Sequence, residues 1–193
     1  VLDKYDAVLI GPGLGRSADV SETVRTVLLN SKSTVIVDAD AINIISKNKE
    51  ILSECSCNLI FTPHAMEMSR LTGLDIAYIE ENRLTVSREF AEEYGATIIL
   101  KGHHTVVTAP NLTQYINITG NSGLAKGGSG DVLAGITAAF AARGMDDGIA
   151  AACAVCVHGA AADKAAAVTG RDAMTASDVT AHIAAVLKEI TEQ

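Results

Sequence analysis

The chain has 193 residues, 48% of them hydrophobic and 20% charged, with a formal net charge of −8. That length and balance describe an ordinary globular chain with one sizeable core, not a disordered one. The acidic balance, without a basic run or interleaved aromatics, argues against nucleic acid as a partner.

The longest apolar run, the Ala-rich stretch around Ile149–Val157, is too short to span a membrane. Residues Val1–Asp6 lack the basic and apolar parts of a signal peptide. They also lack an initiating Met, so the native start is expected upstream. Four cysteines fall as Cys55-x-Cys57 and Cys153-x-x-Cys156. The second pair lies in an Ala/Val helix pattern, where thiols act as small apolar groups. A reducing cytoplasm is favoured over a zinc site.

Short β-branched runs alternate with amphipathic patterns along the chain. Ala7–Ile10 reads as a buried strand stopped by Gly11-Pro12-Gly13-Leu14-Gly15, and a helix is expected over 20–29. Thr34–Val37 is a second strand ending at Asp38-Ala39-Asp40, followed by a helical piece over 41–46. Asn58–Phe61 is a third, ending at Thr62-Pro63-His64. Helices follow over 66–71, closed by Gly73, and over 79–94, closed by Gly95. Thr97–Leu100 is a fourth strand, ending at Lys101-Gly102-His103-His104. Strands over 104–108 and 114–118 flank Ala109-Pro110-Asn111 as a hairpin. Helices close the chain over 131–143, 147–167 and 177–192.

This order predicts an α/β fold with a mostly parallel sheet covered on both faces, and one domain over 1–193. Ligands of such sheets bind beyond the carboxyl ends of the strands. Gly11–Gly15, Asp38–Asp40, Thr62–His64 and Lys101–Thr105 all sit there.

The most informative stretch is Asn121-Ser122-Gly123-Leu124-Ala125-Lys126-Gly127-Gly128-Ser129-Gly130-Asp131, with an apolar helix starting directly after it. Glycines let successive backbone N–H groups converge, and a helix N-terminus adds partial positive charge, which together suit a phosphate. A carboxylate there repels phosphate. Asp131 therefore reads either as a base that deprotonates an attacking hydroxyl or as a helix cap. Asp38 and Asp40 read either as a magnesium-phosphate site, usually through water, or as turn and cap residues, with Asn43 near them. His64 is expected to contact a ligand or to serve the structure, and Glu67 to favour the helix N-terminus. Lys101 can meet a phosphate as a point charge while Gly102 admits close backbone approach. His103 and His104 are expected on opposite faces of a strand, poorly placed for one ion. His158 and His182, in Ala-rich helical patterns, are expected to be structural.

Taken together, these motifs resemble the ADP-dependent NAD(P)H-hydrate dehydratases, repair enzymes of the ribokinase-like superfamily. The resemblance rests on residues 121–135, on Gly11–Gly15, Asp38–Asn43, Thr62–His64 and Lys101–Thr105, in the family's order, and covers essentially the whole chain. It implies a three-layer α/β/α sandwich. It also implies ADP-driven loss of water from the S epimer of NADHX or NADPHX, with Mg²⁺ assisting, in a cytoplasmic homotetramer. Under it Lys101, Gly102, His103, His104, Thr105, Asn121, Gly127, Gly128, Ser129 and Gly130 meet the nucleotide. Gly13, Gly15, His64 and Asp131 meet the hydrated nicotinamide, with Asp131 as base.

The sequence departs from the family in two places. The family's usual N-terminal segment has no counterpart, and Ala65-Met66 stands where many members have Pro-Gly. A small-molecule kinase of the same superfamily, acting on a vitamin precursor or sugar, would use the same acid and loop. A nucleotide-binding module without catalysis is the other alternative, and a carboxylate beside phosphate argues against it.

Overall fold

The computed structural model describes residues 2–192, so the expectations for Val1 and Gln193 lie outside the described residues. A short 3-10 turn at Leu2–Lys4 leads into strand β1 (Ala7–Ile10) and helix α1 (Ala18–Asn30). Ser17 caps α1 by accepting from the Val20 N–H at 3.3 Å. Strand β2 (Thr34–Val37), helices α2 (Ala39–Ile45) and α3 (Ile51–Glu54), and strand β3 (Leu59–Phe61) follow. Next come helices α4 (Ala65–Thr72), α5 (Ile76–Glu81) and α6 (Arg83–Tyr94), then strands β4 (Thr97–Leu100), β5 (Val106–Thr108) and β6 (Gln114–Ile116). A 3-10 turn at Ser122–Leu124 precedes α7 (Ser129–Ala142), α8 (Asp147–Thr169) and α9 (Ala176–Thr191).

The six strands form one sheet in chain order, parallel from β1 to β4 and antiparallel from β4 through β6. Strands β1–β5 divide their residues between two cores, as the two-residue period requires. Val35, Val37, Phe61, Ile98 and Leu100 pack with α1, α2, α4 and α6 on one face. Ile36, Ile60, Ile99 and Val107 pack with α7 and α8 on the other. A third cluster joins α8 to α9 through Val157, Ala161, Met174, Val179 and Val186. Burying each such side chain contributes about 1.5–3 kcal/mol, which sets both helical layers firmly on the sheet. The result is the expected α/β/α sandwich.

Three local expectations are corrected. The helix expected over 79–94 is two helices, because the backbone turns at Asn82 (φ −124°, ψ 32°). That turn lets Arg83 donate to the Leu100 carbonyl at 2.6 Å and lie against Gly102. The hairpin strands are shorter than expected, so residues 102–104 form a turn. His103 and His104 then stack with ring centroids 3.9 Å apart instead of facing opposite ways. Helix α8, at 23 residues, is longer than its apolar run suggested. By length and composition it could cross a membrane, but 56% of its apolar window is buried between its neighbours in the fold.

Candidate functional site

The polar strand ends gather at the carboxyl edge of the sheet and are tied together by buried charges. Asp38, at the end of β2, is 1% exposed, and its Oδ1 accepts from Thr62 Oγ1 at 2.6 Å and Lys101 Nζ at 3.0 Å. Glu67 is also buried, with Oε2 3.8 Å from the same ammonium. Lys101 is thus fixed from two sides. On its free side it approaches α7: a Cβ on Gly130 would come within 3.3 Å of Lys101 Nζ. A side chain there would make the ammonium give by a few tenths of an ångström, so the glycine eases its approach to the helix start, where the first backbone N–H groups lack intrahelical partners.

His64 caps α4. Its Nδ1 accepts from the Glu67 N–H at 3.2 Å, and Glu67 Oε2 accepts from the His64 N–H at 2.9 Å. The imidazole remains half-exposed, so capping and contact with a ligand are compatible.

Asp40 holds the glycine loop after β1. Its Oδ2 accepts from the Gly15 N–H at 2.9 Å and its Oδ1 from Arg16 Nε at 2.8 Å. The Arg16 bond keeps the Asp40 carboxyl below the usual carboxylate range. Within that loop Gly11, at φ 131°, must lack a side chain because a Cβ would strike the Asp38 backbone. Asn43 bonds Ala39 and Arg70, bracing α2 against α4.

Asp38 and Asp40 therefore do not fit a metal as a shared pair of direct ligands. Each already has a cation of its own, and the two carboxylates serve different neighbours. Among the described residues, no group of three or more His, Cys, Asp or Glu could hold a metal ion.

A cleft of about 600 Å³ opens beside this network. Lys101, Gly102, His103, His104, Thr105, Asn121, Ser129 and Gly130 line it together. Gly127 and Gly128 lie in the turn just before it. Gly128 (φ 88°) is the N-cap of α7, which settles one alternative for Asp131. Asp131 is the third residue of the helix, exposed and not its cap. Gly130 lines the cleft, whereas Asp131, about 100° further round the helix, is exposed and is not among the lining residues. Gly13, Gly15 and His64 are exposed as well.

Three features in and around the cleft were not legible in the motif. Lys126 donates to the carbonyls of Arg171, Asp172 and Met174, so it braces a loop instead of meeting phosphate. On α8, Asp163 receives the Gly120 N–H at 2.8 Å and Asn121 Nδ2 at 2.9 Å, fixing the wall that leads from β6. His158, one turn before Asp163, lines the same cleft instead of serving packing alone. Gly159 and Asp163, at i and i+4, share the helix face that meets Thr119 and Gly120.

The family model described as NAD(P)H-hydrate dehydratase matches residues 1–185. The chain belongs to the NAD(P)H-hydrate dehydratase family. It is 41% identical over 192 residues to the bifunctional NAD(P)H-hydrate repair enzyme of Moorella thermoacetica, covering all of this chain and 36% of that protein. It is 40% identical over 161 residues to the ADP-dependent (S)-NAD(P)H-hydrate dehydratase of Neisseria meningitidis serogroup B, covering 82% and 54% of the two chains. The chain thus spans about a third to a half of the length of these relatives.

Among solved structures, the ADP/ATP-dependent NAD(P)H-hydrate dehydratase of Bacillus subtilis, crystallised with ATP and Mg²⁺ and soaked with CoA, superposes with TM-score 0.87 at 32% identity. That match covers 96% of this chain and 66% of the other. A hydroxyethylthiazole kinase from Pyrococcus horikoshii, at 20% identity and TM-score 0.71, shares the fold. A ribokinase-like superfamily protein of Enterococcus faecalis superposes with TM-score 0.78 at 32% identity, over 95% of this chain and 63% of the other.

Proposed function

We infer that this chain carries the ADP-dependent dehydration of the S epimer of NADHX or NADPHX, yielding NADH or NADPH with AMP and phosphate. The observation that carries the reading is the first turn of α7. Its Gly130 opens onto the cleft beside Lys101, and its Asp131 stands uncommitted on the open side. A nucleotide in the cleft and a hydroxyl compound outside it would meet across that turn.

The residues then have separate tasks. Backbone N–H groups along Gly127–Gly130 and the Lys101 ammonium stabilise the charge on the terminal phosphoryl group. Asp131 takes the proton of the substrate's ring hydroxyl, whose oxygen attacks the terminal phosphorus. The bond to the bridging oxygen breaks and AMP leaves. The phosphate ester is a far better leaving group than hydroxide. The ring nitrogen's lone pair expels it, and loss of a proton from the adjacent ring carbon restores the dihydronicotinamide. His64 and the loop held by Asp40 would bind the nicotinamide portion.

Magnesium supplies charge neutralisation on phosphate oxygens when it is present, and such an ion keeps mainly water and phosphate ligands. No step here depends on Asp38 or Asp40 as its ligands. The same reading takes residues 1–193 as one functional domain of a cytoplasmic homotetramer. The free cysteines suit a reducing compartment.

The test is incubation with NADPHX and either ADP or ATP, following the return of reduced-nicotinamide absorbance. Recovery with ADP supports the reading. Phosphorylation of a vitamin alcohol without recovery would assign a kinase, and binding of nucleotide without either reaction would assign a binding module.

A further inference from the structure

Among the described residues, Lys101 and Arg171 are the only Lys or Arg in the cleft wall, and no Asp or Glu lines it. In a chain of net charge −8, a hollow free of acids suits an anion as occupant. The two cations are not equivalent. Lys101 lies 3.0 Å from Asp38 and 3.8 Å from Glu67, so two carboxylates more than balance its charge. The Arg171 guanidinium has no carboxylate and no hydrogen-bond partner among the described residues, and the residue is exposed. Its backbone, by contrast, is tied to the glycine motif. Lys126 donates to the carbonyls of Arg171, Asp172 and Met174. Gly123 packs so closely that a Cβ on it would stand 2.7 Å from the Arg171 carbonyl oxygen. The loop that Lys126 braces is thus the one that carries the unbalanced cation of the cleft.

We propose that Arg171 binds the α-phosphate of the nucleotide, the group that stays with the nucleoside when the terminal phosphoryl is transferred. The inference rests on the nucleotide reading of the cleft and adds to it the residue that supplies net positive charge. The terminal phosphoryl already has the Gly127–Gly130 backbone and Lys101. The α-phosphate has no cation from those groups, and the oxygen it shares with the terminal phosphorus gains charge as that bond breaks. A guanidinium can meet two oxygens of one phosphate and keeps its charge at any working pH. Leu133 and Val155 line the same cleft and give the base an apolar surface, so the base has no need of the cation.

The experiment is calorimetric binding of adenosine, AMP and ADP to the wild type, Arg171→Gln and Arg171→Lys. In Arg171→Gln, AMP and ADP are each expected to bind about tenfold more weakly or worse, the size of one hydrogen bond to a charged group, while adenosine stays within about twofold. Arg171→Lys, which keeps the charge without the fork, should retain part of the affinity. Unchanged ADP affinity in Arg171→Gln overturns the proposal. So does an equal loss for adenosine, which would put the guanidinium on the base. A loss for ADP with none for AMP would put it on the terminal phosphate and overturns the proposal as well.

The phosphorus resonances of ADP at saturation give a second readout. Between wild type and Arg171→Gln the α signal is expected to differ and the β signal to coincide; a change confined to β refutes the contact. Because the side chain is exposed and unpartnered, both variants should melt with the wild type. A lowered melting temperature would give Arg171 a structural task and count against the proposal. A wild type that binds neither ADP nor AMP would remove the nucleotide reading itself, an outcome distinct from those above.

Discussion

Lys101 Nζ lies 3.0 Å from Asp38 Oδ1, joining chain positions 63 residues apart beneath the start of α7. The pair is well shielded, since the Asp38 side chain is 1% and the Lys101 side chain 19% exposed. Removing one member of such a pair leaves a buried charge without compensation. Lys101→Met, which strips the partner from both Asp38 and Glu67, is expected to cost about 3 kcal/mol or more in urea unfolding. ADP binding should weaken with it. A loss in unfolding free energy below about 1 kcal/mol would mean that the pair is solvated like a surface bridge.

Gly130→Ala separates stability from binding. Alanine favours a helix over glycine by about 1 kcal/mol, so the fold should hold or gain slightly. Its Cβ would, however, meet Lys101 Nζ at 3.3 Å and shift the ammonium by a few tenths of an ångström from the place proposed to meet phosphate. The expected result is an unchanged or raised melting temperature with ADP binding weakened by about tenfold, a shift of roughly 1.4 kcal/mol. Unaltered ADP affinity would show that the cleft does not use this approach.

Asp131→Asn should remove most turnover, by about 10²-fold or more, while ADP binding and unfolding free energy stay near wild type. Stability should change by less than about 1 kcal/mol, because the acid interacts with the helix terminus only as an exposed charge and Gly128 occupies the cap. Recovery of reduced nicotinamide at a near-normal rate would remove Asp131 from the base role.

His158 gives stability a particular pH dependence. Its imidazole has a value of about 4 in the fold against 6.5 when unfolded, so the unfolded chain binds the extra proton between these values. Stability from this group is complete above about pH 6.5 and is lost as pH falls toward 4, at up to about 1.4 kcal/mol per pH unit. Urea unfolding from pH 7 to 4.5 should show this slope in the wild type and a shallower one in His158→Gln. Parallel slopes would mean that the buried ring is already protonated in the fold.

The strands and their order were legible because apolar runs such as Thr34–Val37 and Thr97–Leu100 are buried on both faces and carry no competing signal. The glycine loop was legible because its composition suits so few backbone tasks. What escaped detection depends on contacts distant in sequence. The apolar spacing runs through Asn82 without a break, and the contact that the turn there permits, Arg83 with Leu100, lies across the fold. Asp38 and Asp40 look alike in sequence, yet one meets Lys101 and the other Arg16. His158 resembles any histidine in an alanine-rich helix until its place in the cleft wall is known. Lys126 sits inside the phosphate-like motif but braces a loop 45 residues later.

The placing of Gly130 and Asp131 on different sides of one helical turn has a consequence for how such a fold diversifies. On the proposed function, the pocket for the energy-rich partner and the platform for its acceptor would be separately mutable surfaces that share one stretch of backbone. Residues on the open side can be retailored to a new hydroxyl compound while the donor pocket keeps its shape. A scaffold with that division can change its customer without rebuilding its engine.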